Sequence, residues 1–320
     1  MTRLPAPARL AAAPISWGIC EVPGWGYQLS RDRVLSEMQE AGLTATEFGP
    51  GGFLPDRPGE RSALLARYGL TGAGGFVPVV LHDPAVDPLP SVEGALSAFG
   101  ADPAAVLVLA AATGADGYDA RPTLGRQGWQ TLLGNLDRAA KLAGERGFTA
   151  VLHPHVGTMV ERPDEVERVL DGCGIALCLD TGHLLIGGTD PAQLARAATG
   201  RIGHVHLKDV DAGWAGKVGA GETAYTAAVA GGMFRPLGLG DVDLAGVVEA
   251  LEAACYQGWY VLEQDTILTG EPARGRPRGS ARPGVGSGQP GARPAGRGGA
   301  DGRGPAADVR ASLAYLRGLL

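Results

Sequence analysis

"PDEVERVLDGCGIALCLD", residues 163–180, reads as a helix (163–173) running into a short apolar strand (175–180) that stops on a carboxylate, Asp180. The same unit recurs on both sides. Upstream, "SRDRVLSEMQEAGL" (30–43) leads into "TATEFG" (44–49), and "LGRQGWQTLLGNLDRAAKLAGERG" (124–147) leads into "FTAVLH" (148–153). In the first of these helices Ser30 stands at the N-cap and Gly42 near the C-terminus, with Val34, Leu35, Met38 and Ala41 on one face. Downstream, "PAQLARAA" (191–198) leads into "IGHVHLKD" (202–209), and "DLAGVVEALEAACYQG" (243–258) into "WYVLEQD" (259–265). "APISWGIC" (13–20) reads as the first strand. A helix around 59–68 precedes the strand "GAGGFVPVVL" (72–81). "AAVLVLAA" (104–111) is continuously apolar, as a strand buried on both faces should be. Strands alternating with helices in this way predict an α/β chain folded as a (β/α)8 TIM barrel. The rival, a doubly wound open sheet, would want a GxGxxG after the first strand, and none is there.

The pattern breaks at "TGEPARGRPRGSARPGVGSGQPGARPAGRGGADGRG" (269–304), rich in Gly, Pro and Arg and nearly without aliphatic side chains. Such a segment cannot bury enough apolar surface to offset its ordering entropy, so it is expected to be a disordered insert. An RNA or acidic-partner tether is the alternative, but aromatic interleaving is absent. "AADVRASLAYLRGLL" (306–320) then returns as an amphipathic helix that completes the barrel. The expected layout is a flexible N-terminus (1–12), the barrel (13–268), the insert (269–304) and the closing helix (305–320).

A hydrophobic fraction of 45% over 320 residues allows a large core, and a net charge of −6 opposes nucleic-acid binding. The cysteines, Cys20, Cys173, Cys178 and Cys255, form no CxxC pair and read as reduced thiols, with Cys173 and Cys178 as small core residues. No stretch reads as a signal peptide or a membrane span. The expectation is a cytoplasmic protein with a small-molecule partner and neither nucleic acid nor membrane as partner; a homo-oligomer is left open.

Catalytic groups in a barrel sit at the C-terminal ends of strands. All six histidines fall at predicted strand ends: His82, His153, His155, His183, His204 and His206. Scattered structural histidines would not distribute this way. Asp180, His206 and Glu263 come from three consecutive strands and can converge on one ion, a mixed set that suits Mn²⁺, Co²⁺, Zn²⁺ or Fe²⁺. The fourth ligand should come from "HPHVGTMVE" (153–161), with His153 favoured and Glu161 as runner-up. His155 lies two residues further out on the same side and is better placed to meet substrate. Lys208 shares a side with His204 and His206, and a buried lysine near a metal can have a lowered pKa and exchange protons. The plainer alternative is a salt bridge to Asp209 or Asp211. His204 lies deeper and reads as support for a ligand. In the loop "SWGICEVPGWG" (16–26), Trp17, Glu21 and Trp25 make either a wall for a polyhydroxylated ring or a hydrophobic plug.

"PISWGICEVPGWGYQL" (14–29), "TATEFGPGGFLP" (44–55), "HPHVGTMVE", "DTGH" (180–183), "HVHLKD" (204–209) and "VLEQDT" (261–266) together resemble the inosose dehydratases, a family of the xylose isomerase-like barrel superfamily. "DTGH" and "HVHLKD" are shared across that superfamily; the first two stretches point to the dehydratases. The resemblance covers about 13–268 and 305–320. It implies a divalent ion, Mn²⁺ or Co²⁺, on Asp180, His206 and Glu263. It implies dehydration of 2-keto-myo-inositol, a cyclic polyol ketone, to a trihydroxycyclohexane dione through a metal-stabilised enolate. His155, Lys208 and His183 are then the candidates for proton transfer, with Trp17, Glu21 and Glu47 toward the substrate. Many members of the superfamily carry Glu where His153 stands. A ketose isomerase or epimerase needs the same ion and enolate. An endonuclease IV-like enzyme and a non-catalytic sugar-binding barrel fit less well.

Overall fold

A computed structural model describes residues 9–100, 105–119, 121–273 and 304–320. Eight parallel strands close into a barrel: β1 (Leu10–Ala12), β2 (Ala45–Glu47), β3 (Thr71–Val80), β4 (Val106–Ala112), β5 (Thr149–Leu152), β6 (Ala176–Asp180), β7 (Ile202–Leu207) and, after a two-stranded excursion, β10 (Tyr260–Leu262), which pairs with β1. Helices α1 (Arg31–Glu40), α2 (Pro58–Arg67), α3 (Leu89–Phe99), α4 (Arg126–Glu145), α5 (Pro163–Gly172), α7 (Pro191–Ala197), α10 (Leu244–Ala253) and α11 (Pro305–Leu319) connect or follow these strands. The expected barrel is what forms.

Period-two alternation sorts the strand residues. In β6, Leu177 and Leu179 join the layer packed against the helices, while Cys178 points into the barrel with Val106, Val108 and Val151. Ala11, Ala45, Ala73 and Val261 fill the opposite side of the interior. A fully buried leucine contributes roughly 1.5–3 kcal/mol, so the outer leucine layer is the main cement of the fold. α5 shows the local logic. Pro163 opens the helix, Glu165 accepts hydrogen bonds from the backbone of Glu161 and Arg162, and Val166 and Val169 face inward.

The first strand lies earlier than expected. Pro14 opens a 3₁₀ turn (Pro14–Trp17), and Gly18 ends it at φ +78, so most of "APISWGIC" is loop above the barrel. The barrel therefore begins before Ala13, and Arg9 is already buried, donating to Tyr256 O and Glu252. Residues 1–8 lie outside the described residues. So do 274–303, the bulk of the expected disordered insert; the flanking Glu271 is held by Arg33 at 3.0 Å.

Between β7 and β10 the chain makes an excursion: β8 (Asp209–Val210), α8 (Ala212–Gly219), α9 (Tyr225–Ala230) and β9 (Phe234–Arg235), with β8 and β9 antiparallel. With Trp25, Val156 and Ile186 it builds a second apolar cluster over the C-terminal face. Asp209 ties the return by accepting from Gly238, Gly240 and Val242, which is why it is not the partner of Lys208. α6 (Thr181–Gly187) also starts directly at the end of β6, so His183 stands in a helix's first turn, against the expectation that no histidine lies inside a helix.

Candidate active site

Strand register sets the site. Asp180 in β6 is paired with His206 in β7, and His206 with Val261 in β10, so Asp180 and His206 share a height and Glu263 follows one step up. Their side chains point inward by the same alternation that buries Cys178 beneath them. Asp180 Oδ1 accepts from the backbone of Gly182 and His183, which caps α6 and leaves Oδ2 for the centre. Oδ2 lies 3.2 Å from His153 Nε2 and 3.5 Å from His206 Nδ1, and His206 Nδ1 lies 3.3 Å from Glu263 Oε2. His153 and His206 thus flank Asp180, with Glu263 against His206, and all four are buried. Glu161 does not join them: it accepts from Gly157 N and pairs with Arg121.

The donors fit a cation. His206 Nε2 donates to Glu47 Oε1 at 2.8 Å, so Nδ1 is the nitrogen turned to the centre. Burial opposes a charge on this ring, but Cys178 and the Glu263 and Glu47 carboxylates hold its pKa well above the ordinary value, so a proton occupies Nδ1 when no ion does. That Nδ1 is buried without a hydrogen-bond partner and faces two carboxylate oxygens. Lone pairs facing lone pairs in a buried pocket repel unless a proton or a metal ion lies between them. Two imidazole nitrogens and two carboxylate oxygens suit a first-row transition ion better than Mg²⁺ or Ca²⁺. Asp180, His206 and Glu263 each offer a donor within 4.8 Å of the others, and so do His153, Asp180 and His183.

Glu47 was expected beside substrate. It borders the cavity, but its Oε1 accepts from both His204 Nε2 and His206 Nε2 at 2.8 Å. Its first task is to orient His206. Those two histidines hold its carboxyl well below the usual range despite burial. His204, the deeper histidine, supports Glu47 rather than a metal-facing carboxylate.

Lys208 is not a lowered-pKa base. Its Nζ lies 2.8 Å from Asp265 Oδ1, 3.0 Å from Glu263 Oε2 and 3.5 Å from Asp180 Oδ2, and it donates to His183 Nε2 at 2.9 Å. Burial opposes the charge, but the three carboxylates hold the ammonium well above its ordinary pKa. Gly182 makes room, since a Cβ there would lie 2.7 Å from Lys208 Cβ. Burial, His155 and Lys208 keep His183 neutral. His155 donates from Nδ1 to Val156 O at 2.7 Å, so Nε2 is its free, basic nitrogen, and its ring borders the cavity. Burial, then Lys208, lowers its pKa to about 4; burial lowers that of His153 to about 3 and raises that of Glu263 to about 7.

The cavity over these groups measures about 700 Å³ when its open mouth is included. Glu21 stands at its exposed lip. Trp17 does not reach it: it is fully buried, donating from Nε1 to Glu37 at 2.9 Å. Trp25, Phe76 and Tyr118 are the aromatic wall. The loop reading placed Trp25 in a wall with Trp17 and Glu21; Phe76 could have been found from its inward parity in β3, whereas Tyr118 carried no signal. Cys20 also borders the cavity as a neutral thiol, its pKa pushed up to about 12 by burial. His82 and Asp83 do not border it.

A barrel with a transition-ion donor set and a free base at the strand ends defines a class, and residues 27–280 match the family model described as xylose isomerase-like TIM barrel. The chain is 34% identical over 275 residues to an inosose dehydratase of Geobacillus kaustophilus (strain HTA426), covering 81% of this chain and 88% of that one. It is 32% identical over 268 residues to the rhizopine catabolism protein MocC of Rhizobium meliloti, covering 80% and 81%. Among solved structures, the E. coli 3-keto-D-glucoside 4-epimerase YcjR superposes at a TM-score of 0.60 with 18% identity over 97% of this chain and 99% of that one, a likeness of fold. The chain belongs to the xylose isomerase-like TIM barrel family and, within it, to the inosose dehydratases, which makes it an enzyme of the hydro-lyase class.

Proposed function

We propose that the chain removes water from 2-keto-myo-inositol to give a trihydroxycyclohexane dione, with a divalent ion, Mn²⁺ or Co²⁺, held by His153, Asp180, His206 and Glu263. What carries the reading is the free imidazole nitrogen of His155 beside that donor set, in a chain 34% identical to an inosose dehydratase. The ion, when bound, supplies Lewis-acid stabilisation of negative charge on the ketone oxygen. His155 Nε2 takes the proton alpha to the ketone; its Nδ1–H bond to Val156 O holds the tautomer for that role. The β-hydroxyl departs as water on taking a proton from the Lys208 ammonium, and the resulting enol tautomerises to the dione. Solvent returns the proton from His155 to Lys208 after release. His183 holds Lys208 rather than exchanging protons with substrate, and Glu21 at the lip binds ring hydroxyls. Trp25, Phe76 and Tyr118 exclude water from the reacting carbons.

The fold also serves epimerases, so the experiment has two arms. Metal-free protein is mixed with 2-keto-myo-inositol before and after addition of Mn²⁺ or Co²⁺, and dione absorbance is followed. Metal-dependent dione formation, lost in Glu263→Gln, supports the reading. Folded protein that gives no dione with any divalent ion, but epimerises free ketoses, replaces it. No helix among the described residues is long and apolar enough to cross a membrane, and all four cysteines are free, in keeping with a reaction in the reducing cytoplasm.

A further inference from the structure

Lys208 is gripped from a side that the donor set does not occupy. Asp265 follows β10 and is 7% exposed; its Oδ1 accepts from Lys208 Nζ at 2.8 Å and its Oδ2 from the Tyr225 hydroxyl at 2.5 Å. Tyr225 opens α9 on the excursion, is 1% exposed, and has its backbone N–H fixed by Asp119 Oδ1 at 2.9 Å. Its ring packs on Tyr118, His183 and Phe234. On the far side Lys208 donates to His183 Nε2. An ammonium has three donors. Two go to Asp265 and His183. The third faces Glu263 Oε2, which the reading above gives to a metal ion.

We infer that Tyr225 and Asp265 are positioning residues that hold the Lys208 ammonium beside the donor set, keeping it out of the place a cation would take and leaving its third N–H for the substrate. Without the anchor, the nearest acceptors for that ammonium are Glu263 and Asp180, where it acts as a built-in competitor for the metal. The excursion between β7 and β10 thus has a catalytic purpose, since it brings Tyr225 across the barrel mouth to an aspartate 40 residues later in the chain.

The inference rests on the dehydratase reading for its kinetic arm and is independent of it in its binding arm. The variants are Tyr225→Phe, Asp265→Asn, Lys208→Met and the double variant D265N/K208M, each checked for a wild-type circular dichroism spectrum. With 2-keto-myo-inositol and Mn²⁺, D265N should lower kcat about tenfold or more at nearly constant KM, Y225F less so, and the double variant should be no slower than K208M alone. Multiplying losses in the double variant overturn the inference. If the wild type makes no dione, the dehydratase reading fails and Mn²⁺ titration by calorimetry decides the anchor instead. D265N should then bind Mn²⁺ several-fold more weakly and D265N/K208M should regain the affinity of K208M, whereas unchanged affinity in D265N overturns it.

Discussion

The barrel interior has two storeys built by the same strands with the same alternation. The lower holds Val108, Val151, Cys178, Ala11 and Ala45; the upper holds His153, Asp180, His206, Glu47 and Glu263. Cys178 and Asp180 are two residues apart on β6, yet one is inert packing and the other is a charge with almost no exposure. Burying an ionised carboxylate is unfavourable unless it is paired and hydrogen-bonded. The upper storey meets that condition with caps, imidazoles and one lysine; the lower one needs only shape. Function is concentrated where folding is least favourable, and the lower storey and the leucine belt supply the stability that tolerates it.

The comparison breaks first at the proposed metal donors. Asp180→Asn or Glu263→Gln should lower metal-dependent turnover by about 10³-fold or more, read from initial rates of protein shown to be folded. An unchanged rate would remove the donor from the set. His155→Gln should lower kcat about 10²–10⁴-fold while metal affinity stays within a few-fold, because the proposed reaction gives His155 to the substrate and not to the ion. A loss of metal affinity instead would move His155 into the donor set.

The lower, apolar side is tested by Leu177→Ala in the belt, expected to lose about 2–5 kcal/mol in denaturant unfolding with kcat unchanged in the folded protein. Glu47→Gln sharpens the boundary between the storeys. It keeps the shape but weakens the grip on the His206 tautomer, and metal affinity by calorimetry should fall about 10–100-fold. Wild-type affinity would mean that His206 needs no second partner.

The smallest expected effect is on pH dependence. His153 and His155 are neutral when folded, with pKa values lowered from 6.5 to about 3 and about 4 by burial. Below pH 6.5 the unfolded chain binds protons that the folded one does not, so metal-free protein should lose stability as pH falls from 6.5 toward 4. Glu263 works the other way: raised from 4.5 to about 7, it binds a proton in the folded state first and favours folding as pH falls through that range. His183 and His204, also lowered by burial, add to the loss, and His206, raised by its neighbours despite burial, joins Glu263 against it; four histidines against two groups leave a net loss on acidification. The wild type should lose more melting temperature than His155→Asn between pH 6.5 and 4, and parallel curves would mean that His155 titrates normally.

Most of the frame was legible because it is periodic. Asp180, His206 and Glu263 were found from position alone: each ends an apolar strand, and barrel topology brings strand ends together. Trp17 and Trp25 show the limit. Both are tryptophans beside glycine in one loop, and a 3₁₀ turn sends the first to Glu37 in the core and the second to the cavity. Lys208 shows it again: the adjacent Asp209 suggested itself, but that carboxylate is taken up by four backbone N–H groups, and the true partner lies 57 residues on.

By itself, the sequence determined the barrel and the inward donors, because hydrophobic alternation and strand-end position are local quantities that a chain carries in its order. Only the tertiary structure decided which nitrogen of His155 is free, that Glu47 serves His206, and that Lys208 stays charged. Those depend on which acceptor arrives within 3 Å, and the acceptors come from strands and loops distant in the chain.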